Sequence, residues 1–382
     1  MRVIYFDENA TASPSRKANQ LAAEWLMGPP ANASSIHTQG RRARGAIELS
    51  RRQVASSLGV SPRHLTFTSG ATEALHTVIM GVLSAGDHVL VSAVEHPAVW
   101  GALELVGAKV DVVPVDLWGR VSPADFSRKL TPHTRLAIMM AAQNEIGTIY
   151  PLKEVAERLG DVPLLVDAVQ AYGKVQLKLE ETGATYAVIS GHKIGAPQGV
   201  GIIWGKDGAP FNPLIRGGSQ ERGRRAGTEN VAAIVGIGAA ASEIQERLDQ
   251  MIEVRSLREI LRAHLAMRGE KYAKVIGHFE DLSLESDLSP NWRQHGQLPN
   301  TLNLITPHIE GDLLLQQLDL MGFCLSTGSA CASGALEPSP VLRALGFSSS
   351  ESSRGLRVSM GVRSTRSDLE ALIAGLDELL HH

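Results

Sequence analysis

The sequence predicts an α/β protein with a mostly parallel sheet wrapped by helices, followed by a smaller α+β unit. Two observations carry this. Over roughly the first 240 residues, short apolar runs rich in β-branched residues alternate with helix-like segments, the pattern of strands buried on both faces. Beyond that point the alternation stops. A long stretch with apolar residues near helical spacing leads into segments of a different character.

In chain order, "RHLTFTSG" reads as a strand and "ATEALHTVIMGVL" as the helix after it. "DHVLVSAVEHP" precedes the helix "AVWGALELVG", and "TRLAIMMAAQNEIG" precedes "LKEVAERLG". "VPLLVDAVQA" and "TYAVISGHK" are two further strands with polar residues at their ends. In "ASEIQERLDQMIEVRSLREILRAHLAM", Ile244, Leu248, Met251, Leu257, Ile260 and Leu265 mark a long helix, a connector between two lobes. A polar insert, "ESDLSPNWRQHGQLPN", precedes the strand "TLNLI", a helix from about Gly311 and the strand "GFCLSTG". A capping box of Ser367 with Glu370 is expected to open the last helix, ahead of Leu372, Leu376 and Leu379.

A length of 382 residues suggests two or three domains. The formal charge of −3 gives no reason to expect nucleic acid or a membrane as partner. Arginines at 41, 42, 44, 51 and 52 share a helix with Ala43, Ile47, Val54 and Leu58, which reads as a solvated face. A second cluster is Arg222, Arg224 and Arg225. Two cysteines, Cys324 and Cys331, make neither a disulfide framework nor a zinc cage, so a reduced, cytoplasmic enzyme is expected. The opening "MRVIYFDENATASP" has no signal-peptide core, and no membrane-length apolar run occurs.

Ligands of open α/β sheets bind beyond the carboxyl ends of the strands. In "FTSGATEAL", Gly70, Ala71 and Thr72 stand at a helix start that can hold an anion, although a hydroxyl there is ordinarily a cap. Asp167 ends the run "PLLVD", where a carboxylate among apolar residues needs a cation or donors, in a salt bridge, a cap or a cofactor contact. His96 ends "SAVEH", and a lone histidine there is more often structural. Lys193 follows Ser190 and His192 where "TYAVIS" opens into glycines. A desolvated lysine has a lowered pKa and a nucleophilic amine. Phosphate cradle, strand-end aspartate and strand-end lysine together match the needs of pyridoxal 5'-phosphate (PLP): anion site, partner for the pyridine nitrogen and covalent anchor.

Beyond these residues, the chain resembles the cysteine desulfurases of the NifS/IscS type, within the fold-type I PLP enzymes. The resemblance runs in order through "DENAT", "NASSIH", "FTSGATEA", "EHPAV", "QNEIGTIYP", "VDAVQAYGK", "SGHKIGAPQGVG", "RRAGTEN", "STGSACASGALEPSPVLRALG" and "LRVSMG". It implies a large PLP-binding domain over residues 16–250. Residues 1–15 and 251–382 would form a small domain carrying the catalytic-cysteine loop. Lys193 would be the Schiff-base lysine and Asp167 the partner of the pyridine nitrogen. Gln170 and Asn144 would contact the pyridoxal oxygen and the substrate region. His96 would stack on the ring and help move protons. Ala71, Thr72, Ser190 and His192 would hold the phosphate, and Thr228 would reach the phosphate of the neighbouring subunit of a homodimer. Arg357 would bind the substrate carboxylate. Cys331 would take sulfur from L-cysteine, leaving L-alanine and a persulfide.

The form "STGSACASG" resembles the group with a longer catalytic loop, which implies delivery of sulfur to an acceptor protein over release of sulfide. Cys324, within "GFCLS", is expected to be core filler. Gln143 departs from the asparagine or histidine of many relatives. The end at "LDELLHH" lacks the tail of relatives that dock iron–sulfur scaffolds, so the expected acceptor is a differently docked scaffold or another protein, such as one of tRNA thiolation. Selenocysteine lysis, another aminotransferase-like reaction and a non-catalytic sulfur relay are the competing readings.

Overall fold

The computed structural model describes residues 2–207, 209–277, 288–327 and 338–380. The chain opens with β1 (Ile4–Tyr5), α1 (Arg16–Met27) and α2 (Thr38–Leu58). The alternating region follows: β2 (Leu65–Thr68), α3 (Ala71–Val82), β3 (His88–Ser92), α4 (Pro97–Val106), β4 (Lys109–Val113), α5 (Pro123–Lys129) and β5 (Thr134–Met140). Next are β6 (Thr148–Ile149), α6 (Leu152–Leu159), β7 (Leu164–Asp167), β8 (Tyr186–Ser190) and β9 (Gly201–Gly205). Two helices, α7 (Val231–Ser242) and α8 (Ile244–Arg268), lead to β10 (Lys274–Ile276), β11 (Gly296–Gln297), β12 (Thr301–Ile305), α9 (Gly311–Leu320) and β13 (Phe323–Cys324). The described chain closes with α10 (Pro340–Ala344), α11 (Ser349–Ser352), β14 (Gly355–Ser359) and α12 (Arg366–Leu380).

Seven strands form the main sheet in the order β2-β9-β8-β7-β5-β3-β4. The pairs from β8 to β4 are parallel, and β9 runs against both of its neighbours. Side-chain alternation explains the near-continuous apolar runs. Val89, Val91, Leu136, Ile138, Leu165, Val188 and Ile203 pack beneath α3 and α4. The residues between them, including Leu90, Ala137, Met139, Val166, Ala187, Ile189 and Ile202, face the layer of α2 and α7. A strand covered by helices on both faces has no polar side to show.

A second apolar core surrounds the three-stranded antiparallel sheet β10-β12-β14. Leu302, Leu304, Leu356 and Val358 pack there against Leu314 and Leu318 of α9 and Leu369, Leu372 and Leu376 of α12. The long helix α8 serves both cores: Ile244 and Leu248 belong to the first, and Met251, Val254, Leu261 and Leu265 to the second.

Two local expectations need correction. The cap of α12 is Thr365 with Asp368, not Ser367 with Glu370. Asp368 N donates to Thr365 Oγ1 (3.2 Å) and Thr365 N to Asp368 Oδ2 (3.1 Å). Asp368 is held there by an ion pair with Arg2 (2.8 Å), while Glu370 pairs with Arg366. Likewise Arg51 leaves the solvated face of α2. It is 3% exposed and grips Glu221 through both terminal guanidinium nitrogens (2.8 and 2.7 Å). Glu221 also accepts from Phe67 N (2.8 Å), so this buried pair fastens α2 and β2 to the segment before Arg224 and Arg225. The insert of unassigned role packs onto the main sheet's layers, with Trp292 buried and its carbonyl accepting from Lys153 N (2.8 Å).

Candidate active site

The carboxyl ends of β2, β3, β5, β7 and β8 surround one cavity of about 460 Å³. Its lining includes Ala71, Thr72, His96, Asn144, Asp167, Gln170, Ser190, His192, Lys193 and Arg357, drawn from both ends of the chain. Helix α3 begins at Ala71 on the cavity wall with Gly70 as N-cap, and no side chain caps it. Its first N–H groups and the hydroxyls of Thr72 and Ser190 make a donor set suited to a phosphate. Close approach requires a glycine opposite: a Cβ on Gly201 of β9 would lie 2.4 Å from the Gly70 carbonyl carbon.

Lys193 sits in the short turn Gly191–Ile194 that follows β8. Its amine donates to the main-chain carbonyls of Asn9 (2.6 Å) and Ala10 (2.8 Å), within the segment "DENAT". Asp167 is buried at the end of β7, where Oδ1 accepts from Val169 N (2.9 Å). Burial pushes its carboxyl upward, against the pull of His96 and Lys193. A protonated ring nitrogen in the cavity would supply the cationic partner that such a carboxylate favours. His96 caps α4, its Nδ1 accepting from Ala98 N (3.1 Å), which places the proton of a neutral ring on Nε2. His192 meets Thr11 Oγ1 (3.1 Å), and burial with the charges of Lys193 and Lys174 pushes its pKa down to about 4.

Arg357, on β14, comes from the second core. Its Nη2 bonds Asp7 (2.7 Å) and its Nη1 the Asn144 carbonyl (3.2 Å), while its buried Nε has no hydrogen-bond partner among the described residues. Arg357 lines the cavity, and a guanidinium there suits a carboxylate ligand. Donors for a phosphate, a buried carboxylate, an amine and this guanidinium together fit PLP and an amino-acid substrate.

Two predicted residues stand apart. Thr228 is exposed and does not line this chain's cavity. Cys331 lies outside the described residues, but the chain on either side of its segment is fastened beside the cavity. Arg357 N donates to Ser326 O (2.6 Å), and Ser339, the N-cap of α10, bonds Glu145 (2.5 Å). Cys324 is less buried than a core filler, though burial and the nearby Asp319 and Asp7 still push its thiol's pKa up.

Several site residues escaped the reading of the sequence. Glu73 lines the cavity and binds Arg225 (2.9 Å) and Ser69 N (2.8 Å). Burial alone would raise its pKa, but Arg225 and Ser69 draw it down, so the segment leading to Thr228 is tied to the helix start. Glu95 is buried behind His96, where burial pushes its carboxyl up to about 8 and Met140 N donates to it (2.8 Å). Asn9 and Lys174 form a buried network described below. Glu73, Glu95, Asn9 and Lys174 all fall inside the motifs of the resemblance, which was the available signal.

A family model for class-V aminotransferases matches residues 4–372, so the chain belongs to that family of PLP enzymes. Among curated relatives, it is 35% identical to a cysteine desulfurase of Nostoc sp., over 100% of this chain and 93% of the relative. It is 36% identical to the cysteine desulfurase IscS of Dictyoglomus turgidum, over 99% and 95%. A solved NifS-like protein superposes with a TM-score of 0.87 at 31% identity, covering 100% of both chains. Within the class-V family the chain is therefore a member of the NifS/IscS-type cysteine desulfurases.

Proposed function

We propose that this protein converts L-cysteine to L-alanine and holds the released sulfur as a persulfide on Cys331 for an acceptor protein. The observation that carries the reading is one cavity faced by Lys193, Asp167, the uncapped start of α3 and Arg357. Bound PLP supplies an electron sink for a carbanion at the substrate Cα.

The chain's own residues do the rest. Ala71, Thr72, Ser190 and His192 bind the phosphate, and the neutral His192 serves as a hydrogen-bonding partner rather than a charge. Asp167 holds a proton at the ring nitrogen. Gln170 and Asn144 meet the pyridoxal oxygen and the substrate. His96 stacks on the ring and passes protons through Nε2. Arg357 would orient the substrate carboxylate, and Lys193, which would anchor the cofactor, would take the proton from the substrate Cα. The Cys331 thiolate attacks the substrate sulfur. An S–S bond forms as the Cβ–S bond breaks, and protonation of the carbon fragment completes alanine.

The acceptor is an iron–sulfur scaffold or a tRNA-thiolation protein, and the enzyme works in the cytoplasm as a homodimer with Thr228 reaching the neighbouring site. Among the described residues no helix is long and apolar enough to cross a membrane. The two apolar cores support a division into a domain of residues 16–250 and a smaller one of residues 1–15 and 251–382.

The test is incubation with L-cysteine, measuring alanine and protein-bound persulfide with and without a thiol reductant. Wild-type protein gives both products, and Cys331→Ser gives neither. Equal alanine from the two proteins would overturn the role of Cys331.

A further inference from the structure

Lys174 is 0% exposed and lies four residues along the chain from Gln170. Its amine donates to Asn9 Oδ1 (2.7 Å) and to Gln170 Oε1. Gln170 Nε2 in turn donates to the Asn9 carbonyl (3.0 Å), the same oxygen that receives the Lys193 amine. Asn9 is saturated. Its Oδ1 also accepts from Asn300 Nδ2 (3.0 Å), and its own amide donates to Thr301 Oγ1 (2.8 Å) and Asn144 O (2.9 Å).

The donor and acceptor inventory decides which way the Gln170 amide faces. Turned over, Gln170 would set its oxygen against the Asn9 carbonyl, two acceptors with no proton between them. As it stands, the oxygen points at Lys174, and the NH2 of this cavity-lining residue has one hydrogen on Asn9 and one left over. Lys174 supplies the donor that makes this orientation satisfiable. Without it, Gln170 Oε1 would be buried with no partner, which costs more than the retained amide–carbonyl bond returns. No carboxylate bonds Lys174 among the described residues. Burial, with Lys193, Arg247 and Arg357 nearby, pushes its amine well below the ordinary value, only partly offset by Glu8.

We propose that Lys174 is a positioning residue of the active site: it pins the amide oxygens of Gln170 and Asn9 and thereby keeps a Gln170 N–H directed at the cofactor's ring oxygen. This rests on the reading that Gln170 contacts the pyridoxal oxygen. A donor there stabilises the oxygen's negative charge and lowers the pH at which the bound cofactor's visible absorbance changes. Losing it raises that midpoint.

The experiment is a pH titration of the visible absorbance of PLP-loaded wild type, Gln170→Ala, Lys174→Met and the double variant, with thermal unfolding of each. Gln170→Ala and Lys174→Met should each raise the midpoint by about one pH unit. The double variant should go no further than Gln170→Ala alone. Lys174→Gln, which returns an amide donor, should recover part of the shift, and the equally apolar Lys174→Leu serves in place of Lys174→Met if that variant unfolds. A shift in Gln170→Ala with none in the folded Lys174 variant overturns the proposal alone. So does a Lys174 effect that persists undiminished in the Gln170→Ala background. An unmoved midpoint in Gln170→Ala overturns the reading of Gln170, and the proposal with it.

Discussion

Burial sets the protonation of individual side chains here, and the two sides of neutrality behave oppositely. Glu95 is raised to about 8 by burial, so the stability gained from its neutral carboxyl is present at low pH and is lost as pH rises from about 4.5 to about 8. His295 is the reverse. Burial and Arg120 push it down to about 4, only partly countered by Asp116, and its Nε2 accepts from Val121 N (3.0 Å). The unfolded chain binds a proton that the folded ring refuses between about 6.5 and 4, so this contribution is lost as pH falls through that window. From pH 6.5 to pH 4 the unfolding temperature of the wild type should therefore fall relative to that of His295→Gln, which keeps an acceptor for Val121 but does not titrate. Parallel curves for the two proteins would show that His295 does not titrate with unfolding.

At the scale of elements, the helix start that meets the cofactor depends on the strand beside it. A methyl group on Gly201 would strike the Gly70 backbone, and backbone cannot swing away as a long side chain can. Gly201→Ala should weaken PLP binding by about tenfold, a loss of the order of one good hydrogen bond, while the protein remains folded. Absorbance titration of the apoprotein with PLP measures it, and unchanged affinity would show that the helix start tolerates displacement. Most elements and most of this site were legible in the sequence. Apolar runs such as Val188–Ile189 could only be strands covered on both faces, and polar residues at their ends marked the cavity. What stayed hidden depended on distant partners. Thr365–Asp368 and Ser367–Glu370 are equally good caps locally, and only the ion pair from Arg2 selects the first. Arg51 fits the solvated face of α2 by spacing, yet Glu221, far along the chain, draws it inward. Lys174 looks like any lysine near a glycine until Asn9 folds over it.

Across the whole molecule, the cavity lies where the two cores meet, and the first residues of the chain form the joint. Glu8 N donates to Ser359 O (3.1 Å) in the second core, and Ala12 N donates to His192 O (3.0 Å) beside the lysine. Asp7 pairs with Arg357 across the same joint (2.7 Å). A site assembled from distant parts of one chain can equally include a part of another. Thr228 is exposed, yet its segment is held to α3 through Arg225 and Glu73. If it completes the partner's phosphate site, mixing Lys193→Ala chains with Thr228→Ala chains creates heterodimers in which one site has its own lysine and the other chain's threonine. Random pairing of a symmetric dimer then restores about a quarter of wild-type activity at limiting PLP. If Thr228 served its own chain, each heterodimer site would lack the lysine or the threonine, and mixing would restore nothing. Chain exchange, followed by an affinity tag on one variant, must accompany the assay. Heterodimers that form without recovering activity would remove the shared site.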